Sequence, residues 1–244
     1  SKSTSFITKT VLVKNLLPEP YNVSVSKDGF WTWSKKLPVL PEEVTARNAL
    51  LIPKVAQKQI LGTSTPPVKS SVPSYPSVKK FWKIPDTESF LILGEDGKLY
   101  KDREPFAALQ TWPEGGTTTA GILKSKKKSF FDENFSGIVY WDAHSIDFYW
   151  LEDLSQMPRW QNKRSANIFS SDSPLADVRP YPNWPDYLIV ASGDGIYILE
   201  MDSAGGQNVF PLYKGSEPKI FFVNEENQSL IILDKKQYIQ IELE

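Results

Sequence analysis

Residues 187–244 read YLIVASGDGIYILEMDSAGGQNVFPLYKGSEPKIFFVNEENQSLIILDKKQYIQIELE. Six short apolar runs, at 187–191, 195–200, 208–213, 219–223, 229–233 and 237–242, alternate there with brief polar turns. Rich in Ile, Val, Tyr and Phe and broken by Gly, Asp, Asn and Lys, they predict antiparallel strands joined by hairpins. The pattern recurs upstream as strand pairs at 89–93 with 98–101 and at 137–141 with 145–150. First strands begin at 89, 137, 187 and 229, and second strands at 98, 145, 195 and 237, so two strand sets march in step. A period of about 40–50 residues with several strands per unit is the signature of β-propeller blades.

Each later unit also has an incoming strand, at 118–123 or 127–131, at 177–181 and at 219–223, and two have an outgoing one, at 166–169 and 208–213. The last unit holds only three strands before Glu244. An uncovered blade edge invites pairing with other chains. A segment from the N-terminal side, within the linker described below or near Phe81-Trp82-Lys83-Ile84, is therefore expected to complete it. The fold class is all-β, a small β module followed by a propeller of four to five blades, the fifth being residues 1–55 themselves.

Those first 55 residues offer candidate strands at 6–13, 21–26, 30–36 and 44–52. Pro18 and Pro20 punctuate one turn, and Lys27-Asp28-Gly29 signals another. The phrase Leu17-Pro18-Glu19-Pro20-Tyr21-Asn22-Val23-Ser24-Val25, then Gly29-Phe30 and Trp33-Ser34-Lys35-Lys36-Leu37-Pro38-Val39, resembles the second half of a PEGA domain. That family is a small β-sandwich repeat of surface-layer and envelope proteins. Val44-Thr45 and Leu50-Leu51-Ile52-Pro53 stand where its closing strand would lie, and the Pro-x-Gly-Ala hairpin of its first half is absent. The resemblance implies a module truncated or completed elsewhere in the chain. Ile146-Asp147-Phe148-Tyr149-Trp150, Gly195-Ile196-Tyr197-Ile198-Leu199-Glu200 and Asn208-Val209-Phe210-Pro211-Leu212-Tyr213 further resemble blade strands of bacterial proteins that join such a module to a propeller. The implied organisation is a PEGA-like module at 1–55, a Pro/Ser-rich linker or surface strap at 56–80, and the propeller at 81–244.

Composition narrows the chemistry. With 28 basic and 29 acidic residues there is no global field to hold nucleic acid. The absence of Cys excludes disulfides, zinc–thiolate sites and thiol nucleophiles, and a single His excludes multi-histidine metal sites. No cofactor is expected. No apolar run reaches the ~18 residues of a spanning helix. The sequence opens at Ser1 without an initiator Met, so a membrane anchor or targeting segment ahead of it stays open.

Few residues suggest a site. Ser26-Lys27-Asp28-Gly29 with Thr32-Trp33 approaches the Asp box of sialidase-type propellers, but its Asp and Gly are adjacent where that pattern separates them. Trp141-Asp142 is a lone WD dipeptide at a hairpin, and His144 beside it reads as solvated more readily than as a general base. Glu95-Asp96-Gly97 and Gly193-Asp194-Gly195 lack the spacing of a calcium loop and read as corresponding turns. Lys124-Ser125-Lys126-Lys127-Lys128 reads as a solvated hairpin tip. Three Asn-x-Ser sequons, at Asn22, Asn134 and Asn227, would matter only in a eukaryotic secretory setting. Among eight Trp, Trp160 and Trp184 fall in predicted loops, where an exposed indole can stack on a sugar or anchor a protein; capping the blade core is the plainer reading.

The expectation is a non-enzymatic binding or scaffold protein of the bacterial cell envelope, extracytoplasmic, recognising protein or cell-wall glycan through propeller loops. The alternative is a glycan- or peptide-hydrolysing propeller using carboxylates from Glu88, Asp96, Asp142, Asp194 and Glu200 in a central funnel.

Overall fold

The computed structural model describes residues 10–63, 78–83, 90–94, 99–101, 104–105, 122, 128–132, 136–151, 154–158, 161 and 163–243. Their regular structure is almost wholly strand, in four successive four-stranded antiparallel sheets and one separate two-stranded ribbon. The ribbon is β1 (Pro20–Val25) with β2 (Trp33–Pro38). The first sheet runs β4 (Val78–Lys83), β5 (Phe90–Gly94), β6 (Leu99–Lys101) and β7 (Glu104–Pro105). The second is β8 (Lys128–Phe131), β9 (Gly137–Trp141), β10 (Ser145–Trp150) and β11 (Ser165–Ser170). The third is β12 (Leu175–Tyr181), β13 (Trp184–Ser192), β14 (Gly195–Glu200) and β15 (Val209–Lys214). The fourth comprises β16 (Lys219–Asn224), β17 (Ser229–Asp234), β18 (Gln237–Glu242) and, last, β3 (Lys58–Gly62).

The described residues form a propeller of four blades, each an up-and-down meander, with the last closed by a strand from the N-terminal side. β3 pairs antiparallel with β18, Gln59 opposite Gln240 and Ile60 opposite Ile239. The closing strand thus comes from the 56–80 stretch. Phe81-Trp82-Lys83 instead belongs to β4 and pairs with β5 inside the first blade. Residues 1–55 are not a fifth blade, because β1 and β2 form their own sheet.

Packing explains the near-continuous apolar runs. Leu188 and Val190 of β13 face the second blade, in a cluster with Trp141, Ile146, Phe148 and Trp150. Ile189 and Ala191 face the opposite way, toward Ile220, Leu230, Ile232 and Ile241 of the fourth blade. A strand buried on both faces has no polar side to show, so alternation disappears from its sequence. Blade two requires glycine at 137, since a Cβ there would fall within 1.9 Å of the Phe148 ring.

The N-terminal segment departs from its predicted strands. Residues 44–52 form no regular strand: Val44 is exposed, Leu50 and Ile52 are buried, and the backbone polar groups go elsewhere. Leu50 N donates to the Tyr187 hydroxyl at 3.3 Å, and Trp31 N donates to Ile52 O at 2.8 Å. A single bridge, Phe30 with Pro53, stands where a ladder was expected. Residues 10–13 are likewise not strand, and 1–9 lie outside the described residues.

The β3–β18 closure has a direct check in a chain that has no cysteine. Facing residues of an antiparallel pair have Cα atoms about 4.5–5.5 Å apart, within disulfide range. Gln59→Cys combined with Gln240→Cys is expected to oxidise to an intramolecular disulfide and to stabilise the chain by about 2–4 kcal/mol over its reduced form, read by urea unfolding. A pair that stays reduced under oxidant would mean that β3 does not close the fourth blade.

Candidate functional site

The most unusual chemistry in the structure lies where the ribbon meets the third blade. In β2 the alternation buries Trp33, Lys35 and Leu37 and exposes Ser34, Lys36 and Pro38. Lys35 therefore points with Trp33 and Leu37 into the apolar cluster shared with β13–β18. Its side chain has no solvent exposure. The ammonium lies 3.4 Å from Glu200 Oε1 and 3.2 Å from Asp202 Oδ2, and it donates to the carbonyl oxygens of Asp202 at 2.5 Å and Ala204 at 3.2 Å. Asn208 Nδ2 donates to the other Glu200 oxygen at 2.6 Å, and Arg47 Nε stands 3.5 Å from Asp202 Oδ2.

The blade presents this pocket by strand parity. Ile196, Ile198 and Glu200 occupy one face of β14, and Tyr187 on β13 pairs directly opposite Glu200. The last residues of that core face are thus polar. Burial pushes the Glu200 carboxyl above the usual range, an effect that outweighs the Asn208 hydrogen bond and the nearby Lys35 charge. Asp186 is raised as well, by burial first and then by the neighbouring Asp202 carboxylate. The Tyr187 hydroxyl is pushed far above its ordinary value, mainly by burial and then by Glu200.

Backbone contacts lock the same junction. Lys36 N donates to Gly205 O at 2.8 Å; Ser34 N donates to Asn208 Oδ1, and Asn208 Nδ2 to Ser34 O, both at 3.2 Å. Gly205 has φ +75°, and a Cβ there would lie 2.1 Å from Lys36 O. Only glycine permits both the left-handed turn and that approach.

The residues singled out in the sequence are dispersed. Trp184 opens β13 rather than lying in a loop; it is half-buried and meets Tyr187 edge-to-face at 6.0 Å. Trp160, Glu88, Asp96 and Lys124-Ser125-Lys126-Lys127 lie outside the described residues. Asp142 Oδ1 accepts from the backbone N–H groups of His144 and Ser145, both at 2.9 Å, which makes it a turn cap. His144 Nδ1 lies 3.0 Å from Ser171 O. Asp194 pairs at the surface with Lys214 at 3.3 Å, and Glu200 is committed to Lys35. Glu226 and Glu242, which sequence reasoning passed over, line an open hollow of about 430 Å3 at one end of the fourth blade.

No protein-family description matches the chain, and no curated protein sequence does either. Among solved structures it is similar to the β-propeller domain of Cps50 (Swd1) from Myceliophteria thermophila, with 11% identity and a TM-score of 0.38 over 93% of this chain and 68% of that one. A likeness of that strength adds nothing to the strand order, on which the propeller rests.

Two outcomes are expected at the junction. Lys35→Met leaves Glu200 and Asp202 without their shared buried cation and costs about 3–5 kcal/mol, whereas Glu200→Gln, which leaves Lys35 with Asp202 and two carbonyl oxygens, costs less. The pH dependence follows in sign. A carboxyl raised in the folded state binds its proton more tightly there, so stability falls as pH rises from the ordinary carboxylate value through the raised one. The difference between the wild-type and Glu200→Gln stability curves is expected to slope that way; a flat difference would mean that Glu200 is not desolvated.

Proposed function

We propose that the chain is a non-enzymatic protein-binding module in which the propeller serves as a rigid platform and the N-terminal segment carries the recognition surface. One observation supports this reading above the others. Of the thirteen large hydrophobic side chains exposed among the described residues, eleven fall between Val11 and Ile60. They include Leu12 at 62%, Leu17 at 70% and Val44 at 78% exposed. Apolar exposure concentrated in one segment favours contact with other macromolecules. The same segment is anchored by Trp33, Leu37, Leu50 and Ile52, each worth about 1.5–3 kcal/mol when buried, so its exposed residues ride on a fixed base. The exposed part of Trp184 adjoins this base and is our candidate for aromatic recognition.

An extracytoplasmic, bacterial envelope setting is proposed with it, on the PEGA-like phrase at 17–39 alone. A hydrolase remains the second reading because Glu226 and Glu242 share one hollow. Both side chains are exposed there, an environment unlike the apolar wall that holds a catalytic acid protonated.

The test is photo-crosslinking in an extract of the native organism. A benzophenone side chain replacing Leu17 is expected to capture discrete protein species, and one replacing Val209, an exposed residue of the third blade, is not. In parallel, the purified chain is expected to leave glycan and peptide substrates intact. Turnover that disappears in Glu226→Gln or Glu242→Gln would replace binding with hydrolysis as the function.

A further inference from the structure

We infer that Lys35 and Asp202 condense to an intramolecular amide, a covalent bond that staples the N-terminal segment to the third blade, with Glu200 carrying the protons. The inference stands apart from the protein-binding reading above.

The reactants are already side by side. Lys35 Nζ lies 3.2 Å from Asp202 Oδ2, which sets the nitrogen against the carboxyl whose carbon it attacks. Both groups are held from several sides. The carbonyl oxygens of Asp202 and Ala204 accept from Nζ at 2.5 and 3.2 Å, and Lys36–Gly205 and Ser34–Asn208 hydrogen bonds fix the backbone around it. Asp202 Oδ1 accepts from Ala204 N at 2.8 Å, and Oδ2 faces Arg47 Nε at 3.5 Å. Two reactants held in such a geometry meet at an effective concentration far above any in free solution.

The surroundings favour an uncharged product. The Lys35 side chain has no solvent exposure, the Asp202 side chain is buried, and Trp33 and Leu37 flank Lys35 on the same face of β2. An ammonium and a carboxylate kept from water carry a desolvation cost that their attraction offsets only in part. An amide and a departed water carry no charge, and hydrolysis would need water in a pocket that does not admit it. The exposed pair of Lys214 with Asp194 has no such drive.

The proton balance closes within these side chains. Glu200 Oε1, 3.4 Å from Nζ, takes one proton from the ammonium, and the freed lone pair attacks Asp202 Cγ. Negative charge gathers on the two Asp202 oxygens, where the Ala204 N–H and the Arg47 guanidinium meet it. Glu200 passes its proton to Oδ2, takes a second from the nitrogen and passes that on too. The Cγ–Oδ2 bond breaks and water leaves, while Oδ1 stays as the amide oxygen on the Ala204 N–H. One proton remains on the nitrogen and Glu200 ends as it began, so no co-reactant is consumed. Burial raises the proton affinity of Glu200, which suits it to this shuttling, and Asn208 holds its other oxygen at 2.6 Å. Lys35→Met and Glu200→Gln keep the order of cost given above, because both variants lack the bond.

The test is intact-mass spectrometry of the purified, folded full chain. A chain lighter than its sequence by one water is expected, with fragmentation yielding a branched peptide that joins Lys35 to Asp202. Glu200→Gln, its fold checked by circular dichroism, is expected to condense at least about a hundredfold more slowly. A wild-type chain that keeps its full sequence mass after prolonged incubation overturns the inference, whatever the variant does. So does a water lost as a succinimide at Asp28-Gly29 or Asp194-Gly195, a bond from Lys35 to Glu200, or a loss of ammonia that marks Asn208 as the acceptor. Condensation at an unchanged rate in folded Glu200→Gln overturns the role given to Glu200.

Discussion

Lys35 places a positive charge where water does not reach, and the attachment of the N-terminal segment depends on how that charge is met. An unpaired ammonium in such a site carries a penalty of several kcal/mol. Here two carboxylates and two carbonyl oxygens surround it, and all four acceptors lie within Glu200–Ala204, at the end of one blade strand and the start of its turn. A pocket of this kind is specific in a way that apolar packing is not. Apolar packing of Trp33 and Leu37 is non-directional, whereas a shift of Lys35 would leave a buried charge unmatched. The apolar residues supply most of the attraction, and the ion pair fixes the register.

The segment so fixed continues directly into β3, and this gives the N-terminal stretch a second role. A meander propeller built from one continuous chain leaves its last blade one strand short unless a distant piece supplies it. β3 does so against β18, ending four blades with four strands apiece. Lys58 of β3 also lies over the Tyr213 ring of the third blade, 5.7 Å from its centroid, so the closing strand touches two blades. Contacts at Lys35 and at β3 therefore join the beginning of the described chain to its end. Both contacts join residues far apart in sequence and so carry a larger loop-closure cost than the hairpins within each blade.

Much of this was legible in the residues. The central hairpins of blades two to four appear where their apolar runs predicted them, because strands buried on both faces and joined by two- to four-residue turns leave a strong local pattern. Closure by an N-terminal strand followed from the missing fourth strand. Its identity did not, since Phe81-Trp82 and Gln59-Ile60 read equally well as strands and only long-range register decides between them. Residues 44–52 have the apolar content of a strand but form no ladder, because Leu50 and Ile52 enter the core from irregular backbone. The Lys35 site left a signal that went unread: Trp33, Lys35 and Leu37 alternate on one face, and so do Ile196, Ile198 and Glu200. A charge on each of two buried faces implies that the charges meet.

The same parity argument separates the two ends of the ribbon's inward face. On β2, Trp33 and Leu37 enter the apolar cluster and Lys35 meets Glu200 and Asp202, while on the other face Gly205 makes room for the Lys36 carbonyl. On β1, one strand further out, the inward positions are apolar and only partly covered, with Val23 at 36% and Val25 at 38% exposed. Stability alone does not account for this. Polar residues at Val23 and Val25 would leave the anchored strand untouched and would protect the edge from aggregation.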